Sequence, residues 1–291
     1  MGTLNSMRYI SPLKLEATKG LETLIEELEN LGYTADYNLK GAPRDWRLAP
    51  NELDDHFKKV KVLADSLCQR FRRPVIFVGH SSGAIAAYFF LRQQTSKWKT
   101  KCARAFVSIG GPIGGTFRTI RHGLGLNIES GSIFESILKA ELTFSITAFL
   151  APYSAIWKNA ILIQTKSKNY TAFDMEKIAS VISKNSYKMY KNVKDLNGNL
   201  EHPGTDVYFI AGTGIKTPRG LIYEDDEFRS KPKTIWGNGD GTVNEECFPA
   251  YFKWSTVSSY KFYFETMTKT HLGLVRENDS AKRIAHLIAT I

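Results

Sequence analysis

This chain of 291 residues predicts an α/β fold built on a mainly parallel sheet. Three observations point there. Short continuous apolar runs such as "VIFVGH" (75–80) have the length and composition of strands buried on both faces. Between them lie segments whose apolar residues recur at helical spacing. Glycine or proline marks the junctions.

Taken in order, Leu21, Leu24, Ile25, Leu28 and Leu31 form one helical face that stops at Gly32. "NLKGAPRDW" (38–46) reads as a short strand, at 38–43, running into a Gly/Pro turn. After Pro50, a second helix is marked by Leu53, Phe57, Val60, Ala64, Leu67 and Phe71, and Pro74 closes it. The strand at 75–79 then leads into a small-residue helix from Ser82. "ARAFVSIGGPIGG" (103–115), "TDVYFIAGTG" (205–214) and "YKFYFETMT" (260–268) are further strands. Ile284, Leu287, Ile288 and Ile291 share one face of a final helix at 280–291. Residues 116–200 break the alternation, with apolar clusters at Phe134, Ile137, Leu138, Leu142, Phe144, Phe149 and Leu150. They predict a cap or lid over the sheet, or a few extra core helices. The expected organisation is a core in two parts, 1–115 and 201–291, interrupted by a cap at 116–200.

Composition narrows the functional classes. A hydrophobic content of 43% excludes extended disorder. The formal charge of +10 allows nucleic acid, an anionic membrane or no particular partner. No zinc-ligand cluster, RNA-binding aromatic motif or Arg-rich tract accompanies that charge, so no nucleic acid is expected. Cys68, Cys102 and Cys247 lack a CxxC pattern and read as buried thiols, with one pair left open. No run approaches the roughly 18 apolar residues of a membrane helix, and residues 1–15 lack the apolar core of a secretory signal. "MGTLNS" matches a myristoylation pattern, a short match at one terminus.

Residues 79–83, Gly79-His80-Ser81-Ser82-Gly83, fit G-x-S-x-G between a predicted strand and a predicted helix. The glycines are expected because the turn is tight and the helix packs close to the strand. Ser81 Oγ would project above the sheet, and the Ser82 N–H would stabilise a developing oxyanion. A serine hydroxyl needs a histidine base, itself oriented by a carboxylate. The chain order in such sites is Ser, then acid, then His. Asp240, in "WGNGDGTVN", and His271, in "TKTHLGLV", satisfy that order in loops that follow predicted strands. His56 and His122 precede the acid, His202 precedes its strand, and His286 lies inside the last helix. His80 would flank the nucleophile, and Asp225 and Asp226 sit in an exposed acidic loop. No metal or other cofactor is expected.

These blocks resemble the lecithin:cholesterol acyltransferase and lysosomal phospholipase A family. "GAPRDWRLAP" (41–50) is similar to its A-P-Y-D-W-R segment, "GHSSG" to its serine elbow, and "RAFVSIGGPIGG" to its F-(I/V)-S-L-G-A-P-W-G-G strand. "NYT" (169–171), "GTGIKTPRGLIY" (212–223) and "GDGTVN" (239–244) follow in the family's order. The resemblance implies an α/β-hydrolase fold and a metal-free triad of Ser81, Asp240 and His271. It implies an acyl-serine formed from a glycerophospholipid and passed to water or a lipid alcohol, at a peripheral membrane or lipoprotein surface. Trp46 would line the acyl or head-group side of the pocket, or belong to the core. The implied compartment is the secretory pathway, a lysosome or vacuole, or the extracellular space, where Asn169 and Asn278 become glycosylation acceptors.

Departures from the family pattern carry expectations of their own. Ile113 stands for a tryptophan and Ser82 for a larger apolar residue. Phe209 and Tyr251 stand in the segments of a late disulfide, where an aromatic pair would fill the space. "MGTLNSMRYISPL" resembles an internal family segment, so the N-terminal strands and the loop supplying the second oxyanion donor are expected to be missing. The myristoylation match is then accidental. Lys177, Lys184, Lys188 and Lys191 form a basic face toward anionic lipid or simply a solvated one. The function expected is phospholipase A or phospholipid-dependent O-acyltransferase. The alternatives are a catalytically impaired lipid-binding homologue and a neutral-lipid lipase of the same fold.

Overall fold

The computed structural model describes residues 1–9, 19–126 and 140–291. Phe134, Ile137 and Leu138, which entered the cap expectation, lie outside the described residues. In chain order the strands are β1 (Val75–His80), β2 (Ala103–Ile109), β3 (Ile163–Gln164), β4 (Asn169–Tyr170), β5 (Asp206–Gly212), β6 (Thr217–Ile222), β7 (Lys233–Gly237) and β8 (Phe262–Met267). Strands β1, β2, β5 and β8 pair in that order, all parallel. Parallel neighbours require crossovers, and helices supply them. The helices that flank this sheet are α1 (Glu22–Asn30), α2 (Asp54–Phe71), α3 (Ser82–Arg92), α4 (Ser96–Cys102) and α7 (Asn278–Ala289), while α5 (Met175–Ile182) and α6 (Lys184–Val193) pack elsewhere.

Alternate residues of the central strands feed two cores. Phe106 of β2 and Val207, Phe209 and Ala211 of β5 pack with Phe57 of α2 and the apolar face of α3. Val107 and Ile109 of β2 and Tyr208 and Ile210 of β5 pack against α1 and α7 on the other side. Strands with apolar side chains on both faces are stable only when helices cover both. The result is a helix–sheet–helix sandwich in which every strand ends at the same edge.

A third core has its own elements. Phe117, Ile120, Trp157, Leu162, Ile163, Tyr170, Met175, Ile178 and Leu221 cluster apart from the main sheet. Here β4, β3, β6 and β7 form a second sheet, and α5 (Met175–Ile182) packs on α6 (Lys184–Val193). This sheet draws strands from both sides of residue 200, because β3 pairs with β6.

Two expectations are corrected. Residues 38–43 form no strand; only isolated bridges, Ala35 with Leu39 and Gly2 with Gly41, occur there. The chain instead turns back on itself, with Asn38 and Leu39 donating to the Thr34 carbonyl and Asp36 at φ 58°. Among the described residues β1 pairs within its sheet with β2 alone, and Val78 is 38% exposed. The second correction concerns cysteines. Cys68 and Cys102 form a disulfide across Cα atoms 5.5 Å apart, while Cys247 is a buried free thiol. The bridge joins the last turn of α2 to the end of α4, a proximity created by packing beneath β1 and β2. The expected aromatic replacement is present: Phe209 and Tyr251 stack with ring centroids 3.6 Å apart. Tyr251 also bonds Ser108 Oγ at 2.6 Å and donates to the Gly111 carbonyl at 2.9 Å.

The Cys68–Cys102 bridge closes a loop with a sequence separation of 34. A loop of that length removes about 3–4 kcal/mol of chain entropy from the unfolded state. Reduction, or the double substitution Cys68→Ser and Cys102→Ser, is expected to lower unfolding stability by that amount. Urea unfolding with and without a reductant measures it, and coincident midpoints would contradict the bridge.

Candidate active site

The turn after β1 is shaped by a close crossing. A Cβ at Gly79 would lie 2.5 Å from the Ala84 amide nitrogen, so only glycine lets α3 cross the strand there. Gly83 differs: a Cβ there meets nothing within 4 Å, so this second glycine of the pattern is not required by crowding. Between them Ser81 adopts φ 55° and ψ −130°, a conformation that strains a residue with a Cβ. Two hydrogen bonds hold it there. Its N–H donates to the Ile109 carbonyl and its carbonyl accepts from Ala84 N–H, both at 3.0 Å. Ser82 opens α3, and its N–H is among the helix donors with no intrahelical acceptor.

Asp240 and His271 arrive from other strands at the same edge. The chain leaves β5, makes the β6–β7 hairpin, and returns so that Asp240 bridges Ile215. Gly212, at the end of β5, admits it; a Cβ there would lie 2.5 Å from Asp240 Cβ. Asp240 Oδ1 accepts from Thr242 N–H at 2.9 Å and Val243 N–H at 2.6 Å. Its Oδ2 accepts from His271 Nδ1–H at 2.7 Å. The loop after β8 is tied again where His271 N–H donates to the Asp240 carbonyl at 2.9 Å. Asp240 is 2% and His271 7% exposed, so this pair is shielded from water. His271 Nε2 is buried and has no hydrogen-bond partner among the described residues. A neutral imidazole with Nδ1–H committed to a carboxylate keeps Nε2 as a proton acceptor.

Sequence reasoning placed His80 beside the nucleophile without a task. Its Nε2–H donates to the His271 carbonyl at 2.9 Å, and the two rings lie 4.8 Å apart. Burial, aided by neighbouring His271 and Arg276, pushes its pKa down to about 3. His80 is thus a neutral support for the loop that carries His271. Arg44 was also missed. Its Nη2 donates to Ser82 Oγ at 2.7 Å and its Nη1 to the Asp45 carbonyl at 3.2 Å. Burial pushes its pKa down to about 10. The signal was available in the sequence, since arginine stands where the A-P-Y-D-W-R pattern has tyrosine.

The remaining sequence-derived residues lie elsewhere or in other roles. Trp46 is 50% exposed, which excludes the core reading; its ring meets Phe144 edge-on at 5.2 Å. Asp225 accepts from the N–H groups of Glu227, Arg229 and Ser230, and Asp226 from Ser167, so both order their loop. His202 stacks on Tyr260, and His286 bonds the Lys282 carbonyl. Asn169 and Asn278 are exposed, whereas Ser280, two residues on from Asn278, is buried against the Gly273 carbonyl. Lys177, Lys184, Lys188 and Lys191 are exposed on α5 and α6. Among the described residues no helix is long and apolar enough to cross a membrane.

With the geometry in hand, comparison with known proteins is informative. A family model described as Lecithin:cholesterol acyltransferase matches residues 2–283. The lysosomal phospholipase A and acyltransferase of Rattus norvegicus is 31% identical over 264 residues, 89% of this chain and 64% of that protein. Its counterpart from Homo sapiens is 33% identical over 247 residues, 84% of this chain and 60% of that protein. The phosphatidylcholine-sterol acyltransferase of Gallus gallus is 29% identical over 283 residues, covering 95% and 68% respectively. The chain therefore spans less than two thirds of the length of these lysosomal relatives. A chain in the crystal structure of the Tle4–Tli4 complex superposes with a TM-score of 0.57 at 13% identity, covering 84% of this chain and 66% of that one. At that identity the likeness concerns the fold alone.

The His80 contact has a pH signature. An unfolded histidine titrates near pH 6.5, whereas folded His80 resists protonation down to about 3. Its contribution is complete above pH 6.5 and is lost as the pH falls from there toward 3, by up to about 1.4 kcal/mol per pH unit. Half-buried His56 and His202, both lowered to about 4, act in the same direction. Urea midpoints are expected to fall between pH 7 and 5, and less steeply in His80→Gln. An identical slope in the variant would contradict this account of His80.

Proposed function

The chain belongs to the lecithin:cholesterol acyltransferase family, and on that premise we propose that it is a lipid acyl-ester enzyme working through an acyl-serine. The fold is that of the family, an α/β-hydrolase sheet between helices. Curated relatives are named phospholipase A and acyltransferase or phosphatidylcholine-sterol acyltransferase. The proposed activity is phospholipase A or phospholipid-dependent O-acyltransfer. The observation that carries it is the buried 2.7 Å Asp240–His271 pair, its Nε2 unpartnered, at the edge where Ser81 holds its strained turn.

In the proposed reaction Ser81 Oγ attacks the ester carbonyl carbon while His271 Nε2 takes the hydroxyl proton. The developing oxyanion meets the Ser82 N–H. Collapse breaks the bond to the lysophospholipid oxygen, and His271 returns the proton to that oxygen. Water or a lipid alcohol then attacks the acyl-serine, giving its proton to His271, which passes it back to Ser81. Asp240 holds the imidazole tautomer and stabilises the imidazolium formed in each half. An uncharged acyl chain needs an apolar wall, and half-exposed Trp46 against Phe144 supports one beside the site.

The exposed lysines of α5 and α6 support docking to an anionic lipid surface, each worth about 1 kcal/mol near a charged membrane. The Cys68–Cys102 bridge supports an oxidising compartment, as do the relatives named lysosomal. Exposed Asn169 becomes a glycosylation acceptor there. A second reading, a catalytically impaired lipid-binding homologue, is favoured by one observation: β1, which leads into Ser81, is an edge strand with Val78 exposed.

Covalent labelling by a fluorophosphonate separates the two readings, since only an assembled nucleophile reacts. Labelling is expected at Ser81 and is expected to vanish in Ser81→Ala, together with fatty-acid release from phosphatidylcholine liposomes. Asp240→Asn is expected to lower kcat on the order of 10³–10⁴-fold, because the histidine tautomer is lost. Unchanged release in Ser81→Ala would sink the nucleophile assignment.

A further inference from the structure

Arg44 presents a cation that, among the described residues, hydrogen-bonds no carboxylate; Asp45 acts on it only through space. The neighbouring carboxylate, Asp45, is committed to Arg47 through Nε at 2.9 Å and Nη2 at 2.6 Å. Arg44 has only two neutral acceptors, the Ser82 hydroxyl at 2.7 Å and the Asp45 carbonyl at 3.2 Å. Among the described residues no carboxylate pairs with it. A guanidinium carries five N–H donors, so several stay available to a ligand. Its place is specific, because Ser82 follows the nucleophile directly and opens α3, whose N-terminal end adds positive potential.

We propose that Arg44 is a specificity-determining residue that binds the phosphodiester of the lipid whose ester lies at Ser81, selecting phospholipids over neutral glycerides. The proposal rests on the acyl-ester reading above and deepens it. A glycerol backbone sets the phosphate a few bonds from either ester, and Arg44 reaches the residue next to Ser81. The planar fork matches two phosphate oxygens, which lysine or a neutral side chain cannot do equally well. Its lowered pKa of about 10 still leaves it charged at neutral pH, and Asp45, the carboxylate that acts on it through space, is hydrogen-bonded to Arg47 instead.

The test compares release of fatty acid from phosphatidylcholine and from diacylglycerol with the same chains, in the same mixed micelles. Wild type is expected to prefer phosphatidylcholine. Arg44→Gln is expected to cut the ratio of the two kcat/KM values about ten-fold or more, with Arg44→Lys between the two. Fluorophosphonate labelling of Ser81 in each variant verifies a folded site. A loss shared equally by both lipids, as an oxyanion donor or a structural support would give, overturns the proposal, and so does an unchanged ratio. Inhibition of diacylglycerol turnover by millimolar inorganic phosphate, with no phospholipid preference, overturns it in favour of a free-anion site. Wild-type turnover of diacylglycerol alone overturns the parent reading as well. Failure of Arg44 alone leaves the wild-type preference intact in both variants.

Discussion

The site depends on one strained residue. Ser81 sits at φ 55°, where a side chain is unfavourable by about 1–3 kcal/mol, and a structure keeps such a residue only by over-determining it. Here the strand ladder continues one residue past β1 through the Ser81–Ile109 hydrogen bond, while Ala84 captures the Ser81 carbonyl. The apolar face of α3, with Ile85, Phe89 and Phe90 buried, anchors the helix that must start at this point. Relaxing the serine would pull that helix away from the sheet. Packing energy spread over a whole helix is what keeps one hydroxyl at the edge of the sheet.

Asp240 and His271 depend on the same edge through longer routes. Asp240 reaches it only after the β6–β7 hairpin, which is itself anchored by β3 in the second sheet. That links the third core to the Asp240–His271 pair, since displacing β6 would shift the bridge from Ile215 to Asp240. Below it, the Phe209–Tyr251 stack and the Tyr251 bonds to Ser108 and Gly111 tie the segment after Asp240 to β5 and β2. An aromatic pair of this kind adds about 0.5–1.5 kcal/mol beyond its buried area. It joins two segments as a covalent link would, without constraining the unfolded chain.

What was legible in the sequence follows from the range of the interactions involved. Strands β2 and β5 were readable because burial on both faces leaves a continuous apolar run, and the elbow because strand, turn and helix are adjacent. The juxtaposition of Asp240 and His271 was foreshadowed by loop positions alone. Residues 38–43 misled because an apolar-flanked segment looks extended until the Thr34 carbonyl captures Asn38 and Leu39. The Cys68–Cys102 bridge and the pairing of β3 with β6 are contacts between distant segments, invisible to periodicity. Arg44 was hidden for another reason. Its proposed role lies in where its side chain points, toward Ser82 from a distant segment of the chain.

On the proposed reading, the loop that carries Arg44 divides a substrate with a short segment. The Asp45–Arg47 ion pair stiffens it internally, and Ile146 N–H and Ser145 Oγ bond the Arg47 carbonyl at 3.1 and 3.3 Å, fixing it to the cap side. From that frame Arg44 turns inward to Ser82, and Trp46, two positions on, turns outward to Phe144. A charged contact and an apolar contact therefore stand on either side of one rigid turn. A lipid ester has the same division, with a polar head and an acyl chain on either side of the carbonyl. On the proposed reading, that match rather than the triad decides which ester is attacked, because a serine, a histidine and an aspartate are indifferent to what the carbonyl carries. The loop also touches α3 at its first residue, so on the proposed reading positioning the nucleophile and holding the head group rest on the same few hydrogen bonds.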